Sequence, residues 1–318
     1  MDVVIGIDIG GTKTKIGIVN KEGECLEKTF FRTKEFPDLD DYLNKLKEVS
    51  EEVVNSIDHP LNILGCGIGA PNASSKNGTI EKASNLLWKG NVPFLEKFRE
   101  KMPMPMRIMN DASAAALGEM LFGSAKNMTD FIAITLGTGF GAGIVANGKL
   151  IDGFDGFAGE LGHVDMTMGD GRLTGLGVKG GLEAYVSATG LKRTIMHMQA
   201  KYLVDSRFRS IAFNDLHGED ITKAAEEGDE IALMAFDYTA RIMAQALANF
   251  TAFTQPEAFI LMGGLTNSGK WIMEPLEKYF NEFLLEVYKG KVKLMHSGMQ
   301  GKTAAICGAA ALIWENYS

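Results

Sequence analysis

The first twenty residues constrain this chain most. Residues 3–9 and 15–19 are apolar runs rich in β-branched side chains, and Gly10-Gly11-Thr12-Lys13 stands between them. Two such runs around a glycine tip predict a β-hairpin. A glycine tip can turn several backbone N–H groups toward one point, which suits phosphate oxygens, and Thr12 and Lys13 add a hydroxyl and a cation. Asp8 ends the first run, where a carboxylate can hold a hydrated Mg²⁺ beside those phosphates. Alone, the pattern also fits an ordinary surface hairpin. It returns, however, at residues 131–146, with Gly137, Thr138 and Gly139 at the tip. Two phosphate-type hairpins predict two facing half-domains with a nucleotide in the cleft between them.

The segments between the hairpins read as an α/β chain. Tyr42, Leu43, Leu46, Val49, Val53, Val54 and Ile57 have helical spacing over residues 38–57. A buried strand follows at 61–71, then a polar, turn-rich stretch at 72–94 read as a long loop, a short helix at 95–101 and a strand at 106–111. Asp111 thus falls at a strand's C-terminal end and a helix start, the usual place for ligand chemistry in such sheets. Residues 152–190 are glycine-rich and without period. Helices are expected at 191–204, 219–227, 229–253 and 271–288, strands at 257–262 and 291–295, and a small-residue helix suited to close packing at 303–314. A length of 318 residues exceeds one usual core and favours two domains.

Composition excludes several classes. A net charge of −8 and a pI near 5.3 argue against nucleic acid or an anionic membrane as main partner. Cys25, Cys66 and Cys307 are scattered and imply no disulfide framework. No apolar stretch is long enough to span a bilayer and no signal peptide is apparent, so a cytoplasmic location is the default expectation. Two short motifs fail their context. Residues 264–270 resemble a P-loop, but Trp271 occupies the Mg²⁺-binding hydroxyl position; residues 175–180 match a dinucleotide fingerprint by letters and lack a preceding strand.

The ordered set Asp8-Ile-Gly-Gly-Thr-Lys13, Asn110-Asp111-Ala112, Leu136-Gly-Thr-Gly-Phe-Gly-Ala-Gly-Ile144, Gly159-Glu-Leu-Gly-His163, Gly180-Gly-Leu-Glu183 and Gly263-Gly264 resembles the ROK family (repressors, open reading frames and kinases). The resemblance spans nearly the whole chain. It implies an actin-like ATPase (ribonuclease H-like) fold with two α/β domains flanking a nucleotide and sugar cleft. The domains would be residues 1–115 with 301–318, carrying the first hairpin and the catalytic Asp, and residues 116–300, carrying the second hairpin, the sugar loop and the adenosine element. The implied activity is ATP-dependent phosphorylation of a hexose or N-acetylhexosamine, with Mg²⁺, by a homodimer. By the same resemblance Asp111 matches the general base. Asn110, Glu160, His163 and Glu183 match sugar-binding residues, with Asn85 joining them. Gly10, Gly11, Thr12 and Lys13, with Gly137, Thr138 and Gly139, match the two phosphate loops. Gly263 and Gly264 match the adenosine element. The residue types agree with that chemistry: sugar hydroxyls both donate and accept, and phosphoryl transfer needs positioning and charge neutralisation more than covalent chemistry. Taken singly, Asp111 could cap a helix and Glu160 or Glu183 could be solvated charges.

One stretch departs from the family. Many members carry three cysteines that bind zinc with the histidine; here Thr174, Leu176 and Gly181 stand in those places. None can replace a thiolate, so no structural zinc is expected. His163 then needs another acceptor to orient its ring, and loop 164–182, without a metal staple, is expected to be more mobile. The competing function is a sugar-binding sensor of the same fold. Family repressors carry an N-terminal helix-turn-helix, whereas the first hairpin here begins at residue 2, and this expectation favours the kinase.

Overall fold

The computed structural model describes residues 1–299, 301 and 303–317. The chain forms two compact units, one from residues 1–129, 143–159 and 297 onward, the other from residues 130–142 and 160–296.

The first unit opens with strands β1 (Asp2–Ile9), β2 (Thr14–Val19) and β3 (Cys25–Phe31), then helix α1 (Leu39–Asn55) and β4 (Asn62–Ala70). Segment 72–94, expected to be a loop, holds a small antiparallel sheet of β5 (Ala73–Ser74), β6 (Thr79–Glu81) and β7 (Asn91–Val92). Helix α2 (Phe94–Lys101), β8 (Met106–Asn110) and α3 (Asp111–Phe122) follow. The main sheet runs β3-β2-β1-β4-β8, antiparallel through the opening hairpin and parallel from β1 to β4 to β8. The expected α1 stripe is buried at Tyr42, Leu43, Leu46, Val49 and Val53, and Asp38 caps the helix by accepting from the amides of Asp40 and Asp41. Each large side chain so buried contributes roughly 1.5–3 kcal/mol. Together with Phe94 and Phe98 of α2, this stripe shares one core with Ile5, Ile7, Ile16 and Ile18 of the sheet.

The second unit begins with β9 (Phe131–Leu136) and the first residues of β10 (Phe140–Ala146), which carries the chain back to the first unit and to β11 (Lys149–Leu150). It resumes with α4 (Ala188–Lys201), α5 (Gly218–Glu226), α6 (Glu230–Thr254), β12 (Ala258–Met262), α7 (Lys270–Phe283) and β13 (Lys293–His296). The second sheet runs β11-β10-β9-β12-β13. Strand roles therefore repeat those of the first sheet: a hairpin whose first strand continues on its other side into two parallel strands, β4 and β8 in the first sheet and β12 and β13 in the second. Helix α7 packs on β12 through the Phe259 and Phe280 rings, whose centroids lie 5.8 Å apart in an edge-to-face contact. Among the described residues no helix is long and apolar enough to cross a membrane.

The last helix, α8 (Ala304–Trp314), explains its alanines and glycine. Gly6, Gly17 and Gly67 are in register across β2, β1 and β4 and form a side-chain-free band on the sheet. A Cβ at Gly6 would overlap the Ile306 carbonyl oxygen, one at Gly67 the Ala309 carbonyl oxygen, and one at Gly17 would lie 2.9 Å from the Ile306 side chain. Helix α8 thus rests on strand backbone, and its Gly308 in turn comes within 2.9 Å (as an added Cβ) of the Ala114 carbonyl on α3. The three cysteines are free.

Candidate functional site

In the first unit, three parallel strands deliver candidate residues to their shared C-terminal edge. Asp8 pairs with Gly69, and Ala70 pairs with Asn110, so Asp8 and Asn110 stand two strands apart. At the usual strand spacing that is about 10 Å. Asp8 is mostly buried and accepts from Lys15 Nζ at 2.7 Å through Oδ2. Asn110 caps α3: its Oδ1 accepts from the amides of Ala112 at 2.9 Å and Ser113 at 3.4 Å. Asp111, exposed at the first helical position, accepts from the Ala112 amide through Oδ1 at 2.8 Å. The N-terminal end of a helix favours a negative charge at that point. The capping role predicts that Asn110→Ala will lower stability by about 1 kcal/mol, measured as a reduced urea midpoint, whereas Asn110→Asp will keep the cap.

The first hairpin tip is held from behind. Gly10 N donates to Lys13 O at 3.0 Å and Thr33 N to Thr12 O at 3.1 Å. Thr33 Oγ1 donates to Gly10 O at 2.7 Å. Beneath the tip, Thr14, Thr33 and Tyr42 join their hydroxyls in a buried chain, with Thr14 Oγ1 3.0 Å from Thr33 Oγ1 and 2.8 Å from the Tyr42 phenol. Burial pushes the Tyr42 phenol well up from its ordinary value. The carbonyls of Gly10, Thr12 and Lys13 are thereby taken, while the amides of Gly11 and Thr12 have no acceptor among the described residues. Lys13 Nζ lies 4.2 Å from the Phe30 ring centroid rather than on a carboxylate. Asn85 reaches the same tip: a Cβ on Gly11 would come within 2.6 Å of its carbonyl oxygen.

In the second unit, all remaining candidates gather around the second hairpin tip. Gly137 N donates to Gly139 O at 3.1 Å, and Ala188 N donates to Gly137 O at 2.9 Å. Thr189 Oγ1 donates to Thr138 O at 3.1 Å. Met262 pairs with Thr135, so Gly263 and Gly264 leave the strand beside the one that ends in this tip. Gly263 has φ +104°, and a Cβ there would lie 2.5 Å from Leu136 O; only glycine fits this approach. Gly162 packs on Phe140 in the same way, with an added Cβ 2.6 Å from its carbonyl oxygen. That contact brings in the 160–163 turn. Glu160 Oε2 faces His163 Nε2 at 3.6 Å. Glu183 Oε2 accepts from Phe140 N at 3.1 Å.

His163 Nδ1 is buried without a hydrogen-bond partner among the described residues, and the carboxylate that faces the ring is that of Glu160, on the Nε2 side. The positions of the family's cysteines do other work. Thr174, buried, closes a turn: its N donates to Val178 O at 2.8 Å, and its Oγ1 accepts from Val178 N at 3.1 Å. Gly181 fits against the Thr174 methyl, and Leu176 is exposed. These donors do not fit a tetrahedral zinc, and among the described residues no group of three His, Cys, Asp or Glu is placed to hold a metal. Loop 164–182 carries other staples. Asp165 accepts from the amides of Thr167 and Gly169, which hold its carboxyl below the usual range. Arg172 donates to Thr194 Oγ1 at 2.8 Å and stacks over Tyr185, and burial pulls its guanidinium below its usual value. Thr33, Phe140 N and Arg172 were not legible in the sequence, because each acts through a contact distant along the chain.

Comparison with known proteins places the chain. The model of the ROK family matches residues 4–316. The glucokinase of Thermotoga maritima is 30% identical over 314 residues, which cover 98% of this chain and 97% of that one. The xylose repressor of Caldicellulosiruptor bescii is 31% identical over 98% of this chain and 77% of its own. Among solved structures, a ROK family glucokinase from Streptomyces griseus in complex with glucose and AMPPNP superposes with a TM-score of 0.79 at 30% identity, covering 98% of both chains.

Proposed function

The chain belongs to the ROK family, and we propose that, as an ATP-dependent sugar kinase of that family, it phosphorylates a hydroxyl of a hexose or N-acetylhexosamine. One observation carries the reading: Glu183 accepts from Phe140 N at a phosphate-type hairpin, and the turn bearing Glu160 and His163 packs on the same Phe140 through Gly162. Phosphate-binding amides beside two carboxylates and an imidazole suit transfer of a phosphoryl group to a polyol. A plain ATPase has no use for the second set.

In this reading the amides of Gly11, Thr12, Thr138 and Gly139 receive phosphate oxygens, and Lys13 leaves the Phe30 face to join them. Gly263 lets the turn close on Leu136, and Gly264, where an added Cβ meets nothing within 4 Å, leaves room for the adenosine beside the strand end. Glu160, His163, Glu183, Asn85 and the Nδ2 of Asn110 exchange hydrogen bonds with sugar hydroxyls. Asp111 takes the proton from the attacking hydroxyl as that oxygen bonds to the γ-phosphorus and ADP leaves. An exposed, ionised carboxylate within reach of the nucleophile suffices for that step. Asp8, with one oxygen on Lys15, is the residue that would hold Mg²⁺. When bound there, that ion would supply neutralising charge to the phosphates.

The test is a coupled ADP-release assay with Mg-ATP over glucose, mannose, fructose, allose, N-acetylglucosamine and N-acetylmannosamine. Turnover with at least one of them is expected. The similarity to a xylose repressor makes a sugar sensor the other reading. No turnover with any sugar, combined with thermal stabilisation by one, would establish the sensor instead.

A further inference from the structure

The Glu183 carboxylate is engaged in a way that sugar binding alone does not explain. Its Oε2 accepts from Phe140 N, the first amide after the second hairpin tip. The same oxygen covers Gly139 so closely that a Cβ there would overlap it. Its main chain is also fixed, since Ser187 Oγ donates to the Glu183 carbonyl at 2.8 Å. Oε1 has no hydrogen-bond partner among the described residues, and its nearest glycine neighbour is Gly175, whose added Cβ would stand 3.8 Å away. One oxygen therefore holds the hairpin and the other faces away from that bond. Glu160 makes no such contact among the described residues, where its carboxylate faces His163.

We propose that Glu183 is a positioning residue that couples the two substrates, holding the Gly137–Gly139 tip through Oε2 while Oε1 takes a sugar hydroxyl. The inference rests on the sugar-kinase reading. A carboxylate accepting at both oxygens is restrained in its rotamer, and a restrained Oε2 orders the tip that receives phosphate. A ligand that orders a shared element lowers the ordering cost for the second ligand, and the effect is reciprocal. The sugar thus tightens nucleotide binding, and the nucleotide tightens sugar binding, through one side chain.

The experiment is calorimetric titration of the protein with Mg-AMPPNP, first with no sugar present. Glu183→Ala should bind the analogue about tenfold more weakly than the unaltered protein. Glu183→Gln should be about threefold weaker, because its amide oxygen accepts the Phe140 N–H as a neutral group and such bonds are about half as strong. Gly218→Ala, where an added Cβ meets nothing within 4 Å, should bind as the unaltered protein does. Repeating the titration with the panel sugar that supports turnover should tighten binding about fivefold in the unaltered protein and leave Glu183→Ala unchanged. A residue that only contacts sugar would move none of the sugar-free values. Sugar-free affinity equal to that of the unaltered protein in the Gln and Ala variants, or in the Gln variant where Ala does not fold, overturns the coupling and leaves the kinase standing. Failure of the unaltered protein to bind the analogue removes the kinase reading, and the coupling with it.

Discussion

Asp111→Asn should lower kcat by about 10²–10⁴-fold, the range typical of a lost general base. Asparagine has the same shape, and its Oδ1 can still accept the Ala112 amide that the carboxylate now holds. What it loses is basicity at the end of the third parallel strand. KM for the sugar should change little, because the hydroxyl partners assigned to Glu160, His163 and Glu183 are untouched. A role confined to the helix end gives a different signature. It would shift stability by about 0.3–1 kcal/mol and leave kcat alone. Steady-state kinetics and thermal melting on the same preparation separate the two. A kcat within tenfold of the unaltered enzyme would remove Asp111 from the chemistry.

Gly67→Val should destabilise the protein by about 3 kcal/mol, at the upper end of overpacking costs. Gly67 sits mid-strand in β4, and the atom it approaches is the Ala309 carbonyl oxygen of α8. Backbone cannot rotate away as a side chain can, so the helix must lift from the sheet or the strand must bend. The neighbouring glycines Gly6 and Gly17 share the band, so a local shift meets further backbone. Gly218→Ala is the control: an added Cβ there meets nothing within 4 Å, and the substitution should be neutral or slightly stabilising. Urea unfolding of both variants checks the contrast; equal midpoints would mean that α8 is not seated as described.

Local pattern made much of this molecule readable. Both hairpins follow from apolar runs around glycine tips, and α1 follows from the 3.6-residue recurrence of Tyr42, Leu43, Leu46, Val49 and Val53. The small residues of the last helix signalled close packing, and its seat is the glycine band. That band itself was invisible, since Gly6, Gly17 and Gly67 become neighbours only through strand register. The same limit hid the site's supports. Thr33 lies well beyond the tip it braces, and Glu183 is far along the chain from the Phe140 amide it accepts. The turn-rich residues 72–94 concealed three strands too short to show a period. Missing cysteines argued against a zinc staple in loop 164–182, while the Thr174 turn and the Arg172 stack that hold it depend on partners no motif encodes.

The most direct test of the central claim is to follow the phosphoryl group itself. Phosphorus NMR of the enzyme with Mg-ATP and the most active panel sugar should show the γ-phosphate signal replaced by a sugar phosphomonoester, in equal amount to the ADP formed. Asp111→Asn should slow that conversion without redirecting it. Appearance of inorganic phosphate with the sugar unmodified, or no conversion with any sugar of the panel, would contradict the account.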